Sequence, residues 1–145
     1  LIPVNGKDKL IQPLAIALEL GLPVFVVFDA DGDTQKPEHR SRHERDNRAL
    51  IALLGTAYAP FPAASVVAAN YAIWQTNFGD AVKADFGVNY ERLTNASRVS
   101  YAHESGLEKH DLFIAEWVTA GRSEGLASPT LQRLCNAILD FARIP

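Results

Sequence analysis

The chain has 145 residues, of which 48% are hydrophobic and 21% charged, enough length and apolar content for one globular domain with a substantial core. A net charge of −3 gives no global basic field for nucleic acid, so any such binding has to be local. No apolar run reaches membrane-spanning length, no signal-peptide pattern opens the chain, and a single cysteine, Cys135, excludes an internal disulfide framework and suits a reducing cytoplasm.

The first residues, LIPV, already lie in an apolar run, and the chain contains no methionine. That predicts the tail of a core strand over 1–4, in a chain trimmed on its N-terminal side. Asn5-Gly6 then turns the backbone, and Asp8 is placed to cap a helix over 10–20 that ends at Gly21. Leu10, Leu14, Ala17 and Leu18 form its apolar face, with Pro13 early enough to be tolerated.

Residues 24–33, VFVVFDADGD, follow. Five apolar residues read as a strand buried on both faces, as in a parallel sheet. The strand should end where its carboxylates begin, because unpaired carboxylates are costly to bury. Strand, helix and strand with short connections make a βαβ unit. In extended chain Asp29 and Asp31 point the same way, and Gly32 permits a turn that keeps Asp33 near. Hard oxygens at the carboxyl edge of a buried strand suit Mg²⁺ or Mn²⁺, and open α/β sheets place active sites at that edge. The plain alternative is an Asp-Gly turn with no metal.

Residues 34–48 are densely charged. Most of these side chains fit a solvated loop and helix start, but Arg40, Arg42 and Arg45 form a basic lip where a phosphate backbone could lie. His39 and His43 have the i, i+4 spacing of a zinc pair, without the Cys or inner Glu that would support one. A helix over 45–54 buries Leu50, Ile51, Leu53 and Leu54 and stops at Gly55. Residues 66–74 read as strand broken near Asn70, with Tyr71 and Trp74 as core aromatics. Asp80 follows in a short helix stopped by Gly87, as an N-cap or a further acidic contributor. The remainder is helical: 90–104 up to Gly106, then a helix capped by Asp111, then one opened by Ser128-Pro129 in which Cys135 is a buried small hydrophobe.

VNGKDKL, the amphipathic helix, GLPVFVVFDADGD and DNRALIALLG together resemble a Toprim domain. More narrowly, they resemble the C-terminal nuclease region of the OLD (overcoming lysogenization defect) family of ATP-dependent endonucleases. The resemblance is strongest over 1–55 and continues more weakly through 71–87 and 106–134. It implies an α/β fold: a Toprim-like parallel-sheet core, incomplete at its N-terminus, over 1–88, and a helical extension packed on it over 89–145. It implies phosphodiester hydrolysis of DNA through one or two Mg²⁺ or Mn²⁺ ions. Asp29 and Asp31 match the family's paired aspartates, and Asp33 and Asp80 are further candidate ligands. Lys109 is the candidate for the basic group near the scissile phosphate. ATP enters only through an upstream ATPase domain, since no Walker motif occurs here; homo-oligomers are compatible. The catalytic glutamate of Toprim domains precedes everything in this sequence.

Two other readings stand beside it. FDADGDT also resembles the haloacid dehalogenase phosphatase motif, with Asp29 as nucleophile and Asp31 as acid/base, although Asp33 stands where that motif has threonine. A Toprim-like module with incomplete acids would serve binding or dimerisation without catalysis.

Overall fold

Strand β1 (Val26–Asp29) runs parallel to β3 (Tyr71–Trp74), pairing Val26 with Tyr71 and Asp29 with Trp74. A short strand, β2 (Val66–Val67), covers the other edge of β3 in antiparallel register, so the sheet order is β1-β3-β2. This is a computed structural model, and the residues it describes are 4, 6–101, 105–107 and 110–143. Among them the architecture is α/β and mostly helical, with a small mixed sheet rather than an all-parallel one. The expected strand tail over 1–4 lies outside the described residues except for Val4. Among the described residues β1 pairs in parallel with β3, reached through helix α2 (Pro37–Leu53). Parallel neighbours need such a crossover.

The strand ending in the aspartates is shorter and less enclosed than its composition suggests. It alternates between covered and open positions, and Val27 is 39% exposed. β1 is bonded to β3 along one side, while its alternate residues open on a cleft described below. Val26 and Phe28 point the other way, into a core with Leu14, Leu50, Ile51, Tyr71 and Ile73. Leu50 and Ile73 are fully buried; each contributes about 1.5–3 kcal/mol through removal from water. Trp74 is equally buried, against Phe78 with ring centroids 4.6 Å apart.

Helix α1 (Ile11–Glu19) begins later than the sequence suggests, after a 3₁₀ turn at Lys7–Lys9. Asp8 lies inside that turn and caps nothing; Leu10 occupies the N-cap position without a side-chain bond. Leu10, Ile11 and Leu14 face the core, whereas Leu18 is exposed, and the chain leaves the helix at Gly21 in left-handed geometry. Helix α2 starts well before residue 45. Pro37 occupies its first turn, and the charged stretch forms its exposed N-terminal turns. A proline with preset φ and no need of an N–H partner is suited to that position.

The chain divides into two compact units, Leu1–Phe78 with Arg133–Pro145, and Gly79–Gln132. The expected division at 88 lies later, and the last segment belongs with the first unit through contacts such as Phe25 against Phe141. In the second unit, helix α3 (Phe78–Phe86), α4 (Asn89–Arg98) and α5 (Asp111–Ser123) enclose Phe86, Leu93, Phe113 and Trp117. Trp117 meets both Phe86 and Tyr90 edge-on. The cap of α5 is His110, whose Nδ1 accepts from the Phe113 N–H at 3.3 Å, and Asp111 is the first helical residue instead. Helix α6 (Pro129–Ala142) opens as its sequence predicts: the Leu131 N–H donates to Ser128 Oγ at 3.1 Å, and Ser128 in turn donates to Asp85. Cys135, expected in the core, is exposed, because α6 buries Leu134 and turns the neighbouring position outward.

Candidate functional site

The acidic edge begins where the β1 ladder outlasts the strand. The Ala30 N–H donates to Trp74 O at 2.7 Å, Asp31 N–H to Thr76 O at 3.0 Å, and Gly32 N–H to Gln75 O at 2.9 Å. These bonds hold the aspartate stretch rigidly beside the end of β3. Asp31 adopts φ 53, the left-handed region that only a minority of non-glycine residues occupy. Gly32 is required by close approach: a Cβ there would lie 2.7 Å from the Gln75 carbonyl oxygen. Beneath the turn, the fully buried Asn47 of α2 donates from Nδ2 to Ala30 O and to Pro60 O, each at 2.8 Å. One side chain thus joins the strand end, α2 and the loop before β2.

Val27, Asp29 and Asp31 line a cleft of about 280 Å³ together with Lys7, Leu10 and Phe28. Asp29 and Asp31 both line this cleft, but Asp31 lies beyond the strand at φ 53, so the turn and not the alternation of extended chain places it. Asp29 Oδ1 accepts from the Phe78 N–H at 2.8 Å, at the start of α3, where a helix favours negative charge. Asp31 Oδ2 lies 2.6 Å from Lys7 Nζ and 3.4 Å from His43 Nδ1. Lys7 also donates to the Asp29 carbonyl at 2.8 Å, and its side chain is only 9% exposed. His43 Nδ1 is buried and has no aligned hydrogen bond. The 3.4 Å approach is therefore proximity rather than a bond. Burial and the Lys7 ammonium push the imidazole below its ordinary pKa of 6.5, against the opposing pull of Asp31.

Asp33 is exposed, and its carbonyl accepts from Gln35 Nε2 at 2.8 Å. Asp80 is exposed in the first turn of α3, in the second unit. Lys109 lies outside the described residues. Arg40, Arg42 and Arg45 are all exposed on α2. Arg40 is tied down, donating to Gly32 O at 3.0 Å and stacking 4.2 Å from the Phe61 ring centre, while Arg45 approaches Asp46 at 3.4 Å. His39 is exposed, and His43 turns to the acidic edge, so the helical pair makes no zinc site.

Among the described residues, no three His, Cys, Asp or Glu side chains come together to hold a metal ion. Asp29, Asp31 and Asp33 are therefore not gathered into a ligand set. What the edge offers a divalent ion is two carboxylates, one already matched by an ammonium, and this falls short of a metal site. The residues that the sequence reading passed over are Lys7 and Asn47. Gly6, at φ 111 just before Lys7, was the available signal: a glycine turn that aims the next side chain back over the strand. Comparison of the chain with protein-family models, curated proteins and solved structures finds no match.

Proposed function

We propose that this chain is the acidic-edge portion of a Toprim-type, divalent-metal-dependent endonuclease that hydrolyses DNA phosphodiesters, as part of a larger ATPase-coupled protein. One observation carries the reading. A strand paired in parallel within a mixed sheet ends in Asp29, and a ladder-held turn then presents Asp31 on the same side, above a cleft. That edge is where open α/β sheets carry out chemistry. In this reading Asp29 and Asp31 supply two hard oxygen donors, and the upstream glutamate segment that the resemblance implies supplies the rest. A bound Mg²⁺ or Mn²⁺ would activate water and neutralise phosphate charge. Asn47 and the Gln75 and Thr76 carbonyls hold the main chain from Ala30 to Gly32 that carries Asp31. Lys7 offers positive charge beside them, and the exposed arginines of α2 offer backbone contacts to a phosphate chain.

A second reading, a non-catalytic Toprim-like binding module, is favoured by the ion pair that already occupies Asp31. Supercoiled plasmid and a generic phosphomonoester, each with Mg²⁺, Mn²⁺ or EDTA, separate the possibilities. They are offered to this chain, to a longer chain with the upstream segment, and to an Asp29→Ala/Asp31→Ala variant of each. The nuclease reading expects metal-dependent nicking by the longer chain, reduced at least about a hundredfold in the variant. Intact plasmid under every metal condition defeats it, in favour of the module, or of the phosphatase if the monoester is turned over.

A further inference from the structure

Helix α1 is apolar on two sides. Leu10, Ile11 and Leu14 turn one side into the core of the first unit. On the opposite side Pro13, Ile16 and Leu20 follow one another at three- and four-residue spacing, so they share one stripe of the outer surface. Ile16 is 52% exposed and Leu20 68%. Leu22 widens the stripe: its N–H donates to Ala17 O at 2.9 Å, which folds it back beside the helix with half of its surface open. Single exposed apolar residues need no explanation, but a cluster of them marks a surface that another body covers. A helix face turned to water would carry charge, yet Glu19 is the single charged residue of α1.

The charges at the two ends of the stripe indicate which body that is. Lys9, in the 3₁₀ turn before α1, and Glu19, the last residue of α1, are both exposed, and among the described residues neither is held in an ion pair. They stand about 15 Å apart at the helical rise. A second copy of the chain, laid antiparallel about a two-fold axis between Pro13 and Ile16, sets a positive end against a negative end twice over. A wholly acidic or wholly basic partner would match one end and oppose the other. An anionic membrane surface would be repelled by Asp8 and Glu19, and the stripe lacks the flanking row of lysines and arginines that holds a helix there. We infer that the outer face of α1 is a homodimer interface, in which two copies pair these helices antiparallel through Pro13, Ile16, Leu20 and Leu22, with Lys9 of each meeting Glu19 of the other. The inference is independent of the proposed nuclease activity and uses no residue of the acidic edge. One helix face is smaller than the roughly 800 Å² per partner of a standard interface, so this dimer comes apart on dilution.

Sedimentation equilibrium of the full chain tests it. Wild type should be mostly dimer at about 500 μM and mostly monomer at about 5 μM. Ile16→Lys puts like charges on both sides of the axis and should weaken association at least about tenfold. Lys9→Glu and Glu19→Lys should each weaken it severalfold alone. An equimolar mixture of these two should return to within about threefold of wild type, because each supplies the charge that the other lacks. Wild type that stays monomeric throughout overturns the inference, as does association that Ile16→Lys leaves unchanged, or a mixture that associates no better than its components. A monomer that instead co-sediments with phosphatidylglycerol vesicles overturns it in favour of a lipid surface. Should a variant fail to fold, wild type decides by zero-length carbodiimide coupling of a mixture of isotope-labelled and unlabelled protein. Mass spectrometry should find Lys9 joined to Glu19 in mixed-isotope peptides. Coupling confined to single-isotope peptides, or no coupling of this pair, overturns the inference.

Discussion

Asn47 is the residue on which the acidic edge depends most. It is fully buried, and its amide nitrogen satisfies two main-chain carbonyls, Ala30 O and Pro60 O. In Asn47→Ala both acceptors lose their donor inside the protein, where an unmet polar group costs about 1–3 kcal/mol. We expect a loss of about 2–3 kcal/mol in urea unfolding; a loss below about 0.5 kcal/mol would mean that water reaches both carbonyls. His43 provides the second prediction at this scale. Its folded pKa lies below the unfolded value of 6.5, with burial the leading cause and Lys7 next. The unfolded chain therefore takes up the proton first as pH falls. The stability associated with neutral His43 is fully present above 6.5 and is lost as pH drops from there through the lower folded value. An imidazole NMR titration should show a midpoint under 6.5; a midpoint above it would mean that Asp31 outweighs burial and Lys7 together. None of this was legible residue by residue. The sequence suggests an extended Asp29–Asp31 stretch, whereas the strand ends at Asp29 and Asp31 sits in a left-handed turn. It does not show which distant cation meets them, because the Lys7–Asp31 pair exists only after the chain has closed on itself.

At the scale of elements, local chemistry was readable where it is self-contained. Ser128-Pro129 announces α6 because the cap bond and the proline lie within one turn, and GLPVFVVFDADGD announces a strand and its end. The start of α2 was not readable in its charges, which look like a loop until Pro37 is taken as the first helical residue and Asp46 and Asn47 as its buried face. Cys135 was misplaced for a related reason: α6 buries little beyond Leu134, so an apolar stripe on that helix overstates what is covered. Helix α5 carries the prediction here. Gly121 lies in its last turn, and alanine would raise helix propensity by at most about 1 kcal/mol. The added methyl, however, would lie 2.7 Å from Phe86 Cε1 and 3.3 Å from Leu93 Cδ1. Phe86 is buried edge-on to Trp117 and has little room to yield. Overpacking of about 1–3 kcal/mol outweighs the propensity gain, so Gly121→Ala should lower stability by about 1–2 kcal/mol, net of both effects. Trp117 fluorescence during thermal unfolding measures it, and a raised midpoint would show that the ring moves aside freely.

For the whole molecule, the alternation of apolar runs predicted an α/β chain with a helical later part, and that broad outline holds. Among the described residues β1 and β3 meet the parallel-sheet expectation, and β2 does not. β2 reverses direction because residues 68–71 form a tight turn, in which the Ala68 N–H donates to Tyr71 O at 2.8 Å. The division into units was the least legible feature. Periodicity reports which face of a helix is covered, but it does not report by which segment. Phe25 meets Phe141 only through tertiary closure. Among the described residues no helix is long and apolar enough to cross a membrane.

The split composition of the first unit has a consequence in time. It consists of Leu1–Phe78 and Arg133–Pro145, with the second unit lying between them along the chain. During synthesis Phe25 emerges well before its partner Phe141, with the whole second unit made between them. The later-made second unit carries all of its own contacts within one uninterrupted segment and can complete its packing sooner. Contacts separated by long stretches of chain form slowly, and nascent proteins fold segment by segment as they appear. The first unit is therefore begun before the second and completed after it, and a ribosome stalled before Phe141 would display Phe25, next to β1, without its aromatic partner.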